Sequence, residues 1–326
     1  MNTTVPDANV IQIAVDLACR APSLHNSQPW RWRYSSGRLD LFGDRSRLLG
    51  EADPSGRQLA ISCGAALHHF EIAMTSLRWR SEVTILPRRE PSGPLASLLF
   101  HRDAHPQSHD FDLLTAIRRR RSDRRPFAPP PPAFLDQLDR YRDLVAQYEV
   151  HLDLLRPQDT STLDAATKAS AAARRYEAGY HAELHWWAGH DRPDEGIPSG
   201  ALATASESAD VAAGRPFPAP LRSESTQSRG PDESRVLLLS THSDTKSEWL
   251  ASGRAFSAVV LDATVRQLAT CPLTHLTEVR QSRELIRGLV SGVGTPQILI
   301  RVGTGGAPAS VPETPRRPLI EVLSID

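Results

Sequence analysis

Apolar residues at Val10, Ile13, Ala14, Leu17 and Ala18 repeat with the spacing of one helical face, and Pro22 stops the pattern, so residues 10–20 predict a helix. The period then switches to alternation. Trp30-Arg31-Trp32-Arg33-Tyr34 and Leu39-Asp40-Leu41-Phe42 flank Ser35-Ser36-Gly37, which predicts a hairpin. Residues 59–79 and 250–269 are long apolar-rich stretches dotted with small residues, as in buried helices that approach a neighbour closely. The two align, GAALHHFEIAMTSL from Gly64 against GRAFSAVVLDATVR from Gly253, and an apolar strand follows each, at 82–86 and 297–302. This repetition predicts a diverged internal duplication. Periodicity fades over residues 87–109, which sets the border between a first half, 1–109, and a second half, 110–326. A further helix is expected over 111–119. From 196 to 234 the chain is rich in Ala, Ser, Pro and Gly with no sustained period; a segment of that length is a lid, a binding loop or a disordered excursion.

Composition narrows the field. Lys+Arg and Asp+Glu are equal at 38 each in 326 residues, so no global charge draws the chain to nucleic acid or to an anionic membrane. Lysine occurs only at Lys168 and Lys246, and an arginine bias of that kind arises from coding-sequence composition alone, which weakens any argument from an arginine run. Cys19, Cys63 and Cys271 are too few and too scattered for a disulfide framework, so a cytoplasmic location is expected. The start, MNTTVPDAN, has no basic or apolar leader region, and no apolar run approaches about 18 residues, so no membrane association is expected.

Two phrases carry candidate chemistry. Arg120-Arg121-Ser122-Asp123-Arg124-Arg125-Pro126-Phe127 places guanidinium forks around a hydroxyl at a helix end, suited to a phosphomonoester; the same run also reads as a solvated basic helix end. Ala21-Pro22-Ser23-Leu24-His25-Asn26-Ser27-Gln28-Pro29-Trp30 offers the amides of Asn26 and Gln28 on a rigid turn, suited to the edge of a planar heterocycle or simply to a loop between helix and strand. His181 and His185 share a helix face, with Glu183 between them and His190 beyond, but the order HAELH misplaces the base of a zinc protease and Trp186-Trp187 points to packing; no metal is expected. His101, His105 and His109 are interrupted by Pro106. No GxSxG elbow, Walker A phrase or complete GxGxxG occurs.

The RRSxRxF phrase, the APSxxNxQPW phrase and the late Pro315-Arg316-Arg317-Pro318 together resemble the flavin-dependent nitroreductase family, and the length, the order of phrases and the long middle segment resemble its tandem, Acg-like branch. The resemblance implies an α+β fold of antiparallel-dominated sheets, with two related halves fused as an intrachain pseudo-dimer and the two long helices near each other at its centre. It implies FMN as cofactor and hydride transfer from NAD(P)H through FMN to a nitroaromatic, quinone or similar acceptor, with no essential protein acid or base. Its alternative is an FMN-sequestering protein whose 196–234 lid covers the flavin. Family members carry the arginine phrase before the PSxxN phrase in one short chain; here the order is reversed. One flavin site per chain follows, with PSLHN from the first half and RRSDR from the second, and a mirror-related pocket lacking both. By resemblance, Arg120 and Ser122 with Arg316 or Arg317 hold the phosphate and ribityl chain, and Arg124 lies at the pyrimidine edge, where it stabilises the anionic reduced ring. Pro22, Ser23, Leu24, Asn26 and Gln28 serve the ring from the other half, and the turn Pro272-Leu273-Thr274 presents a backbone donor to flavin N5. A fused dimer is expected to be a monomer or a homodimer.

Overall fold

The computed structural model describes residues 5–88, 90, 92–218, 230–292, 294–305 and 311–326. The first predicted helix is α1 (Ala8–Ala18), started by Asp7, whose carboxylate accepts from the Val10 amide at 2.9 Å. The hairpin is β1 (Trp30–Ser35) and β2 (Arg38–Gly43); the first long apolar stretch is α2 (Arg57–Ser76), followed by β3 (Arg80–Ile85), β4 (Ala96–His101) and α3 (Ser108–Arg119). The chain continues through α4 (Leu138–Ala146), β5 (His151–Leu154), α5 (Thr160–Arg174), α6 (Ala178–Trp187), α7 (Ala205–Ala209), β6 (Arg235–Thr241) and α8 (Lys246–Val265). It ends with β7 (Ala269–Leu273), α9 (His275–Glu278), α10 (Arg280–Arg287), β8 (Thr295–Gly303), α11 (Leu319–Val322) and β9 (Leu323–Ile325).

These strands form two sheets of one design. The first runs β1-β2-β4-β3 and the second β5-β6-β8-β7, all neighbours antiparallel, with a long helix after the second strand of each. The repetition seen in two helices therefore extends to both sheets. The tail breaks the symmetry, because β9 crosses back and pairs in parallel with β1, Leu323 opposite Trp32.

α2 and α8 pack against each other at the centre. A Cβ on Gly64 would collide with the carbonyl oxygen of Leu250, and one on Gly253 with that of Ile61. Each oxygen belongs to the residue three positions before the opposing glycine. Four residues further on, His68 Nδ1 and Ser257 Oγ lie 2.8 Å apart. Aligned positions thus meet each other, as they do across the two-fold axis of a dimer. The chain is an α+β intrachain pseudo-dimer.

Three regions refine these expectations. Residues 87–109 are not an irregular border, since they contain β4, whose Leu98 and Phe100 are buried while the apolar Leu99 faces solvent at 50 % exposure and hides the alternation. The strands β5, β6 and β7 lie outside the elements that periodicity predicts. The second sheet is covered on both faces: Leu237, Leu239, Ile298 and Ile300 join the central core, while Leu238 and Leu299 pack with Leu163, Leu276 and Ile286. Strands covered on both faces read as continuous apolar runs instead of alternating ones. Finally, the aperiodic segment 196–234, read as a lid, a binding loop or a disordered excursion, lies in an insertion between β5 and β6; its described part carries the short helix α7, and residues 219–229 lie outside the described residues. Among the described residues no helix is long and apolar enough to cross a membrane.

Candidate functional site

A cavity of roughly 350 Å³ opens where the two halves meet. Pro22, Ser23, Leu24 and Asn26 line it from the first half; Arg120, Ser122, Arg124, Pro272, Leu273, Thr274 and Arg316 line it from the second. Gln28 and Arg317 are not among its lining residues.

The first phrase takes its shape from a tight reversal after α1. Leu24–Asn26 forms a single 3₁₀ turn in which His25 (φ 50°) and Asn26 (φ 56°) are left-handed, as is Gln28 (φ 50°) beyond it. Ser23 Oγ accepts from the Gln28 amide at 3.0 Å and locks the reversal. The two side-chain amides are then spent on main chain. Asn26 Nδ2 donates to the carbonyls of Gly196 and Pro315, both at 2.9 Å, while Gln28 Nε2 donates to Asp194 O at 2.8 Å and Gln28 Oε1 accepts from the Arg317 amide at 2.9 Å. Gln28 and Arg317 therefore tie the tail and the insertion onto the phrase. Arg317 extends the tie to Asp44 and Glu321.

The second phrase runs along the edge of β7. Ser122 bridges to Thr270, and the Asp123 amide donates to Thr270 O at 3.0 Å, so the segment behaves as one more extended strand. Alternation then sends Ser122 and Arg124 to the cavity and Asp123 and Arg125 away from it, while Arg120 and Arg121, just past the end of α3, both line it. Asp123 is consumed by Arg125, which binds it through Nε and Nη2, both at 2.7 Å. Glu313 is likewise taken by Arg20 and Arg121. Among the described residues no carboxylate pairs with Arg120, Arg124 or Arg316. Burial, with Arg316 beside it, pulls the Arg120 guanidinium down to about 9, and burial with Arg20 nearby pulls Arg316 down to about 10. The Nε atoms of both are buried without a partner. Unanswered positive charge on donor forks with a hydroxyl between them matches a phosphate.

Pro272 and Leu273 close strand β7 instead of forming a turn, and Pro272 has no N–H, so an amide donor there comes from Leu273 or Thr274. Several lining residues had no role assigned from sequence. His25 and His275 are 5 % and 4 % exposed, and both ring nitrogens of His25 and Nε2 of His275 lack partners. Arg215 and Phe217 come from the insertion; Arg215 pairs with Glu278 and donates to Tyr180 Oη at 2.5 Å and Thr274 Oγ1 at 3.1 Å. The Phe217 ring meets His25 edge-on at 5.9 Å and lies 5.1 Å from the Arg124 guanidinium. Nothing in the periodicity marks these four; the one available hint is a bulky histidine inside a turn of small and amide residues. His181 and His185 sit exposed on α6, where Glu183 accepts from the Glu51 and Ala52 amides at 3.1 and 2.9 Å.

No family model matches. The chain is 41 % identical over 327 aligned positions to the Acg protein of Mycobacterium tuberculosis H37Rv, provisionally named an NAD(P)H nitroreductase, covering 100 % of this chain and 98 % of that protein. A second protein of that organism, Rv3131, carries the same provisional description and is 34 % identical over 345 positions, covering 99 % and 93 %. Among solved structures, a provisionally identified nitroreductase from Anabaena variabilis aligns at TM-score 0.48 and 9 % identity over 91 % of this chain and 73 % of that one. The FMN-dependent nitroreductase NfnB of Mycobacterium smegmatis, in complex with NADPH, aligns at TM-score 0.40 and 15 % identity over 66 % and 97 %.

Proposed function

Because the chain belongs to the Acg-like branch of the nitroreductase family, we propose that it is an FMN-binding oxidoreductase that passes reducing equivalents from NAD(P)H to a nitroaromatic, quinone or similar acceptor, with one flavin site per chain between halves 1–109 and 110–326. The observation that carries this reading is the set of guanidinium groups of Arg120, Arg124 and Arg316, none paired with a carboxylate among the described residues, which line the cavity with Ser122 opposite the PSLHN turn of the other half; the Nε atoms of Arg120 and Arg316 are buried without a partner, while Arg124 and Arg316 also donate to main-chain carbonyls. Their donors fit the phosphate of FMN, which brings a charge of about −1.5 to −2. FMN, once held, supplies the two-electron chemistry that side chains lack.

The chain's own groups position and polarise. Arg120, Ser122 and Arg316 receive the phosphate end. Arg124 keeps its positive charge in a poorly solvated place and favours added negative charge on a ring beside it. Pro22 and Leu24 offer apolar surface from the first half, beside the Ser23 hydroxyl that accepts from the Gln28 amide, and the end of β7 at Leu273 and Thr274 offers main-chain amides.

One observation favours the alternative of sequestration. The insertion contributes Ile197, Ala201, Val211 and Phe217 to the cavity wall, and Arg215 is locked to Glu278, so the insertion covers what the cavity holds. The same experiment separates the two readings: the protein is titrated with FMN and followed anaerobically after NADPH is added. We expect about one equivalent of bound flavin whose visible bands bleach. Bound flavin that stays oxidised would favour sequestration, and no binding would overturn both readings.

A further inference from the structure

Hydrogen bonds and ring contacts order the cavity from end to end. Arg120 and Arg316 both donate to the Arg20 carbonyl, at 3.4 and 3.2 Å; Arg124 lies over the Phe217 ring, which meets His25 edge-on; Arg215 donates to Thr274 Oγ1, beside His275 in the chain. Arg124 therefore lies between a guanidinium end, Arg120 with Arg316, and an imidazole end, His25 with His275, joined there by Arg215 and Phe217. If the phosphate takes the first end, the imidazoles lie beyond Arg124, on the side that the insertion covers.

Those imidazoles are costly as they stand. Three ring nitrogens are buried without a partner among the described residues, and an unsatisfied buried polar atom costs about 1–3 kcal/mol. Burial first, and then repulsion from Arg215, drives both rings well below the ordinary histidine range, so each is neutral and has one N–H to give. Phe217, edge-on to His25 and beneath Arg124, adds an apolar face next to those donors. Two donors beside an aromatic face suit a flat molecule that carries oxygen acceptors.

We propose that His25 and His275 form the recognition subsite for the electron acceptor, donating hydrogen bonds to the oxygens of a planar nitroaromatic or quinone; this rests on the flavin reading above. Such bonds strengthen as negative charge builds on those oxygens, so they act on the transition state more than on binding. They also account for histidine at two positions where an apolar residue would leave nothing unpaired.

The test uses His25→Leu and His275→Leu, each loaded with FMN, reduced with dithionite so that no nicotinamide step intervenes, and mixed anaerobically with p-benzoquinone or with ferricyanide. Reoxidation by the quinone should slow about 10- to 100-fold in each variant, the range of a lost hydrogen bond to developing charge. Reoxidation by ferricyanide, which needs no such bond, and the dissociation constant for FMN should stay within about twofold. His275→Gln, which keeps an N–H, should recover most of the quinone rate. A second readout is independent of activity: the leucine variants without FMN should melt at or above the unaltered protein, because each loses an unpaired buried group. Unchanged quinone rates, a drop in that melting temperature, or an FMN dissociation constant raised tenfold would each overturn the proposal, the last by assigning the imidazoles to the cofactor. Failure of the unaltered protein to bind FMN would instead overturn the flavin reading from which it starts.

Discussion

Arg120, Arg124 and Arg316 differ from the other arginines of the site in having no acidic answer. Arg125 has Asp123, Arg121 has Glu313, Arg215 has Glu278 and Arg301 has Asp232. Removing a pairing partner from a buried phosphate costs about 1.5–3 kcal/mol. Arg120→Ala should therefore raise the FMN dissociation constant about 10- to 100-fold while leaving that for riboflavin, which lacks the phosphate, within about twofold; equal weakening of both would sink the phosphate assignment. Arginine and turn residues of this kind are legible in sequence because a run of them serves no hydrophobic period. Their spacing does not say which side chains face inward. Asn26 and Gln28 look alike as strings, yet Gln28 is fully buried and tied to the Asp194 carbonyl and the Arg317 amide. Arg215, Phe217 and His275 escape notice because they come from an aperiodic insertion and a four-residue helix, and only the fold brings them together.

At the level of elements, legibility follows exposure. The hairpin of β1 and β2 could be read because one face of its sheet is wet: β1 alternates buried Trp30, Trp32 and Tyr34 with exposed Arg31 and Arg33. β6 could not, since Leu237, Leu238 and Leu239 are all fully buried between two layers. The long helices were legible through their small residues, and packing gives the reason. Gly64 and Gly253 are the points where α2 and α8 touch backbone to backbone. Gly64→Ala would drive a methyl into a main-chain carbonyl that has no rotamer to escape to, so it should cost at least about 2–3 kcal/mol, the upper part of the overpacking range. Gly253→Ala should cost about the same, because its contact is the mirror image. The double variant should cost less than the sum, since one outward shift of the helices relieves both clashes. Denaturant midpoints at fixed m-value would check this, and strictly additive losses would mean that the two contacts are separate and the pseudo-two-fold contact is not shared.

The whole molecule carries buried neutral imidazoles both at its central seam and in its cavity, and together they set its response to acid. His68 lies on α2 in the seam against Ser257, His69 is buried next to it on the same helix, and His25 and His275 line the cavity. Burial, aided by nearby arginines, lowers His68 to about 3 and the other three well below their ordinary value. In the unfolded chain each titrates near 6.5. Below that pH the unfolded state takes up protons that the folded state refuses, so this stability is fully present above about 6.5 and is lost as pH falls. At pH 5.5 each histidine removes about 1.4 kcal/mol, or roughly 5–6 kcal/mol for the four. Asp53 acts the other way. Burial at the start of α2 raises its carboxyl to about 6 even though the Gln58 and Leu59 amides donate to it, so the folded state gains a proton first as pH falls. It returns only about 1 kcal/mol at pH 5.5, too little to offset the histidines. These five groups together should thus lower the unfolding free energy of the protein without FMN by roughly 4 kcal/mol between pH 7.5 and 5.5, a loss that burial of Glu71 and Glu183, whose carboxyls are also raised, reduces, against the 5–15 kcal/mol typical of a folded chain. Urea titrations at the two pH values measure it, and His68→Gln should recover about 1.4 kcal/mol of the loss; a flat profile would mean that these imidazoles accept protons in place and are not held neutral by burial.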